Sequence, residues 1–183
     1  MSLTPTPGQT VGPFFHYALP YDGDNELVPS GHPDRIRLHG TVFDGNGMPI
    51  PDALIEIRQA DTDGSVPTMP GSLRRDGFTF TGWGRAKTDR VGHYSFSTVT
   101  PGATRDGEAP FFAVCVFARG LLDRLLTRAY LPESSALDDD AVLSGVESNR
   151  RATLVAVPDS TGYRFDIHLQ GESETVFLQH WKS

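Results

Sequence analysis

From residue 35 onward, apolar side chains recur at every second position in short runs, and each run ends in a cluster rich in glycine, proline, asparagine or aspartate. A period of two sends alternate side chains to opposite faces, so a chain patterned this way folds into half-buried strands joined by tight turns. Ile36, Leu38 and Val42 alternate with Arg37, His39 and Thr41, and the DGNG at 44–47 predicts a hairpin turn after them. Ala53, Ile55 and Ile57 mark the next strand, and 84–88 with 93–99 predict a second pair across the turn 89–92. Further strands are expected at 111–118, 125–131, 151–157 and 162–170, the last two joined by PDSTG. Roughly seven or eight strands with a single short helix after Asp138–Asp140 indicate an all-β fold, an antiparallel β-sandwich. Those aspartates read as a helix start, where carboxylates cap free amides and complement the dipole.

Residues 1–34 differ. Pro5, Pro7, Pro13, Pro20, Pro29 and Pro33 remove donors and fix dihedrals too often for a helix or a central strand, so this stretch is expected to be an extended arm. Its VGPFFHYALPY cluster must lie on something, either the domain formed by 35–183 or a neighbouring subunit. No repeat or linker divides the rest.

The formal charge of −7 has the wrong sign for neutralising phosphates, which argues against nucleic acid as a partner. The opening MSLTPTPGQT lacks the basic start and apolar stretch of a signal peptide, and the apolar run 111–118 is far short of a membrane span. A soluble cytoplasmic protein without membrane contact is the expectation. The single cysteine, Cys115, allows no intrachain disulfide and, inside that apolar run, reads as a buried structural thiol. No two of the six histidines lie within four residues of each other, and the DTDGS at 61–65 has its glycine in the wrong place for a calcium loop and reads as a turn. No nucleophile elbow, P-loop or dinucleotide fingerprint is present.

Four stretches carry a resemblance. TVFDGNGMPIPDALIEIRQADTDG, FTGWGRAKTDRVGHYSFSTVTPG, VFARGLLDRLLTRAYLP and GYRFDIHLQGESETVFL, in that order, are similar to the intradiol ring-cleaving dioxygenases over Thr10 to about Leu178. The resemblance implies a β-sandwich and a non-haem ferric ion held by two tyrosinates and two histidines, donors that suit hard ferric iron. This chain departs at all four places, which fall on Val66, Thr104, Phe112 and Val114, with Ala109 where an arginine would stand. No iron of its own and no catalytic residue in this chain alone are therefore expected; the old pocket would be filled by core side chains.

Function would then come from pairing. The resemblance implies an iron-binding beta subunit as partner, a higher-order alpha–beta oligomer, and cleavage of 3,4-dihydroxybenzoate (protocatechuate) by O2, with Fe(III) carried by the beta chain. Two contributions to the shared substrate pocket are implied: the T-x-G-P-[YF] segment, matched by Thr10, Gly12, Pro13 and Phe14, and Arg128 of LLTRAYL, which would attract or hold the substrate carboxylate. Phe14 stands where tyrosine is usual and so brings packing without a hydroxyl. An arm that merely staples two subunits is the alternative for the first contribution, and a surface arginine paired with an acid such as Glu133 for the second. Nothing in the motif puts Arg119 or Arg124 in the pocket. A non-catalytic β-sandwich scaffold or binding module remains the competing function, and an autonomous enzyme using His93 or His168 a third.

Overall fold

A computed structural model describes residues 12, 14–69 and 76–179. After a short helix α1 (Phe15–Ala18), the order is β1 (Ile36–Phe43), β2 (Leu54–Arg58), β3 (Trp83–Lys87), β4 (His93–Thr98), β5 (Phe111–Phe117), β6 (Leu125–Tyr130), α2 (Ala141–Ser144), β7 (Val157–Asp159), β8 (Gly162–Arg164) and β9 (Ile167–His168). A 3-10 turn, Arg151–Leu154, stands where the pattern of 151–157 predicts strand. Two sheets form: β4-β1-β8-β7, with β9 also pairing β1, and β3-β2-β5-β6. Leu38, Phe96, Ile55, Phe112 and Val116 are among the fully buried side chains that fill the space between them. The all-β sandwich expected from the alternation is what the chain adopts, with one difference: β8 and β9 run parallel to β1.

Two expected hairpins are instead corners between sheets. The turn after β1 forms, with the Asp44 carboxylate accepting from the amides of Asn46 and Met48. Only one bridge, Phe43 to Pro49, follows it. Pro49 and Pro51 cannot donate to a ladder, so the chain leaves β1 and crosses to the other sheet as β2. The turn 89–92 likewise connects β3 of one sheet to β4 of the other. Gly92 there has φ 74°, and a Cβ would sit 2.8 Å from Pro49 Cβ, so only glycine fits. Thr88 locks both corners: its buried hydroxyl accepts from Ala53 N at 2.9 Å and donates to Ile50 O at 2.8 Å.

The seam between edge strands β3 and β4 is closed by residues 24–28. Arg85 N donates to Asp24 O, Ser97 N to Asn25 O, and Leu27 N to Ser97 O. Leu27 is buried and fills the space left by Gly84, where a Cβ would come within 2.4 Å of its Cδ1. Among the described residues, no helix is long and apolar enough to cross a membrane.

Candidate functional site

Sheets of this kind usually solvate one face, but β5 is apolar on both. Its alternation buries Phe112, Val114 and Val116 in the sandwich and turns Phe111, Ala113, Cys115 and Phe117 outward, half-buried. On that outer face lies a groove of about 680 Å³, whose lining includes Trp83, Phe111, Cys115, Leu126, Arg128 and Leu178. Its edge at β6 is covered by the C-terminal segment, where Leu178 N donates to Leu126 O at 2.7 Å. One end is walled by the excursion after β6, whose Leu143 and Leu154 pack with Tyr130 in a second small core.

At the opposite rim, outward Glu56 and Arg85 face each other across β2 and β3 and form a two-pronged ion pair, with Arg85 Nη2 2.6 Å from Glu56 Oε1. Arg85 also lies 5.2 Å from the Trp83 ring and donates from Nη1 to Leu19 O at 2.8 Å. The segment carrying α1 is thereby fastened beside the groove. Gly12 has φ 75°, the left-handed conformation that favours glycine, and Phe14 is 69% exposed. Thr10 and Pro13 lie outside the described residues.

Arg128 is the cation at the walled end. Its Cζ sits 3.9 Å from the Phe111 ring centroid, and Nη1 donates to Tyr130 Oη at 3.0 Å. No carboxylate among the described residues lies within ion-pair distance of it. The expected alternative partner, Glu133, instead accepts from Tyr163 Oη at 3.3 Å, because β8 brings Tyr163 alongside. Arg124, for which the sequence offered no place, also lines the groove, while Arg119 pairs with Asp52 away from it. Cys115 corrects another expectation: it faces the groove and is only partly buried, because β5 has a second apolar face. Burial and the Glu56 charge push its thiol up to about 11, against the opposing pull of Arg124.

The four places expected to have lost iron ligands do not converge on a pocket of donors. Phe112 and Val114 are in the sandwich core, and Val66 is exposed. The Thr104 hydroxyl donates to Glu108 at 2.9 Å. The loops bearing Val66 and Thr104 do meet, since Gly102 N donates to Asp61 O at 2.8 Å and a Cβ on Gly64 would lie 2.0 Å from Ala103 O. Valine, phenylalanine and a threonine engaged with a glutamate supply neither phenolate nor imidazole, so these residues do not fit a ferric ion. Elsewhere, His39 Nε2 lies 2.6 Å from Asp159 Oδ2 and its Nδ1 lies 3.4 Å from His93 Nε2, on the solvent face of the other sheet. His168 stacks on Phe43, 4.8 Å between ring centroids. The two histidines of the autonomous-enzyme alternative therefore share no pocket with Arg128.

Sequence reasoning missed the support of Arg128. Asp140 caps α2 as expected, accepting from Val142 N and Leu143 N, yet its Oδ1 also accepts from Tyr130 Oη at 3.0 Å. Ten residues separate the pair, and no local pattern links them.

Comparison with known proteins agrees with this architecture. A family model described as "Dioxygenase" matches residues 10–116. The chain is 39% identical over 195 residues to the protocatechuate 3,4-dioxygenase alpha chain of Burkholderia cepacia, covering 97% of this chain and 98% of that one. It is 31% identical over 177 residues to the beta chain from the same organism, covering 86% and 74% respectively. Among solved structures, the dioxygenase domain of a dioxygenase–carbohydrate-binding protein fusion from Streptomyces sp. SirexAA-E superposes with a TM-score of 0.62 at 26% identity, covering 92% of this chain and 99% of that one. With an alpha chain matched from end to end, a beta chain matched more distantly, and the sandwich in common, this chain belongs to the dioxygenase family that includes the protocatechuate 3,4-dioxygenase chains.

Proposed function

We propose that this chain is the iron-free alpha subunit of a protocatechuate 3,4-dioxygenase. Paired with an iron-binding beta chain of the same fold, it forms the site at which 3,4-dihydroxybenzoate is cleaved between its two hydroxyl-bearing carbons. Both atoms of O2 enter the product, 3-carboxy-cis,cis-muconate. The iron belongs to the beta chain. This chain supplies one wall of the pocket, and the pair repeats in a larger alpha–beta assembly.

The observation that carries the reading is Arg128: a guanidinium laid on an aromatic ring, at the end of an apolar groove, with no carboxylate paired to it among the described residues. A carboxylated catechol provides the missing anion and a flat ring that suits the groove. The apolar outer face of β5 supports a partner chain covering it, since exposed apolar surface of this kind marks an interface. The attachment of Leu19 to Arg85 at the rim of the groove supports the further reading that the motif formed by Thr10, Gly12, Pro13 and Phe14 contributes to the substrate pocket together with Arg128.

The test is iron content, native mass and oxygen uptake on 3,4-dihydroxybenzoate, for this chain alone and co-expressed with the beta chain. A colourless, inactive chain and a coloured, active hetero-oligomer support the reading. Stoichiometric iron in the lone chain would overturn it. Arg128→Ala in the assembled complex raises KM for 3,4-dihydroxybenzoate about tenfold or more, the worth of one charge-assisted hydrogen bond. Unchanged kinetics per assembled site would make the chain a scaffold instead.

A further inference from the structure

The Arg128 guanidinium is held by a short relay that reaches from the groove into the second core. Tyr130 faces outward on β6, yet it is fully buried because the segment carrying Leu143 and Leu154 packs over it. Its hydroxyl has one proton and two lone pairs, and both neighbours are fixed. Asp140, 1% exposed, accepts from the hydroxyl at 3.0 Å, so the proton points to Asp140. The lone pair is then free to accept from Arg128 Nη1, also at 3.0 Å.

Protonation states agree with this direction. Burial pushes the Asp140 carboxyl up, but the amides of Leu143, Val142 and Ala109 and the Tyr130 hydroxyl together hold it below the ordinary carboxylate range. It is therefore an anion at neutral pH. Burial carries the Tyr130 phenol up to about 12, with Asp140 adding to the rise and Arg128 opposing it, so the phenol keeps its proton.

Arg128 ends up clamped in three ways: Tyr130 holds one terminal nitrogen, the Phe111 face supports the plane, and β6 fixes the stem opposite Ala113. Its Nε and Nη2 have no hydrogen-bond partner among the described residues. A fork with one prong tied and the rest unpaired is pre-organised for a planar anion, and a freely rotating arginine would lose rotamer entropy on binding.

We infer that Tyr130 and Asp140 are positioning residues: they set the guanidinium of Arg128 at the groove end so that it recognises the substrate carboxylate, without touching substrate themselves. The inference rests on the proposed role of Arg128 and adds a specificity device to it.

The experiment uses the assembled alpha–beta complex. Tyr130→Phe keeps the ring and deletes only the hydroxyl, and Asp140→Asn keeps the cap shape while weakening the acceptor. KM and kcat are measured for 3,4-dihydroxybenzoate, and Kd is measured for the uncharged isostere 3,4-dihydroxybenzamide. Tyr130→Phe raises KM for the carboxylate about five- to tenfold, with kcat within twofold and amide binding unchanged; Asp140→Asn shifts KM the same way by less. A merely structural role would change kcat, or both ligands alike, and that outcome overturns the inference. If Arg128→Ala weakens the carboxylate selectively while Tyr130→Phe does not, the positioning role fails and the role of Arg128 stands. If Arg128→Ala spares carboxylate binding, the underlying reading fails. Should Tyr130→Phe not assemble, Asp140→Asn decides by the same ratio of carboxylate to amide.

Discussion

Phe111 and Phe112 are adjacent in sequence but sit on opposite faces of β5, and replacing each by alanine separates the two faces energetically. Phe112 is 0% exposed and packed between the sheets. Its truncation removes an aromatic ring from a close-packed interior and leaves a cavity, a change that costs about 3–5 kcal/mol. Phe111 is half-buried; its truncation loses part of a ring's burial and the contact with Arg128, about 1–2 kcal/mol in all. A chain of this size loses about 2–4 °C of melting temperature per kcal/mol, so Phe112→Ala lowers Tm by about 10 °C and Phe111→Ala by about 3 °C. Thermal unfolding followed by near-ultraviolet circular dichroism on the purified protein reads both. Phe111→Ala also weakens binding of 3,4-dihydroxybenzoate, whereas Phe112→Ala at a temperature where it stays folded does not. Equal losses of Tm from the two variants, or the larger loss from Phe111→Ala, would refute the assignment of faces and the groove built on it.

Thr88→Val retains shape and deletes the hydroxyl that serves the amide of Ala53 and the carbonyl of Ile50, so stability falls by about 1–3 kcal/mol in denaturant titration; a neutral result would remove Thr88 as the lock of the corners. The His39 ring, followed by the amide and hydroxyl of Thr161, holds the Asp159 carboxyl well below its ordinary value. A depressed carboxyl stabilises above its unfolded value of about 4 and loses that contribution as pH falls through the lower folded value. The amide resonance of Gly162, which donates to Asp159, therefore shows no inflection at the ordinary carboxylate value near pH ~4 in an NMR titration and reports carboxyl protonation only in stronger acid. An inflection near pH ~4 would contradict this. Cys115, with its thiol pushed up to about 11, reacts slowly with a disulfide reagent at pH 8 in the lone chain and more slowly still once the beta chain is bound; equal rates would show that the partner does not cover the groove.

The strands were legible in the sequence because burial on one face writes itself as a period of two, which Ile36–Phe43 and Leu54–Arg58 display, whereas Phe111–Phe117 was legible as a short unbroken apolar run. Pairing was less legible. The turns at 44–47 and 89–92 have hairpin chemistry, yet each joins strands in different sheets, since local composition specifies a reversal of the chain and not the partner it finds. The alternation at 151–157 resembles a strand, but the Thr153 hydroxyl bonds the Arg150 carbonyl and the segment turns instead. Arg128 could be singled out from its motif. Its surroundings could not, because Phe111, Tyr130 and Asp140 gather around it only after β5, β6 and the segment after β6 have folded together.

The position of β1 has a consequence for how the molecule comes into being. This strand, 36–43, receives β4 on one side and β8 and β9 on the other, from residues 93–98, 162–164 and 167–168. During synthesis its second flank stays empty until residue 168 has left the ribosome, at about 5–20 residues per second. The first sheet is thus completed by the last strands to emerge, and closing so long a loop makes folding slow compared with a chain of sequential hairpins. Until then β1 is an open edge, and the proteins that attend nascent chains meet this one in that state.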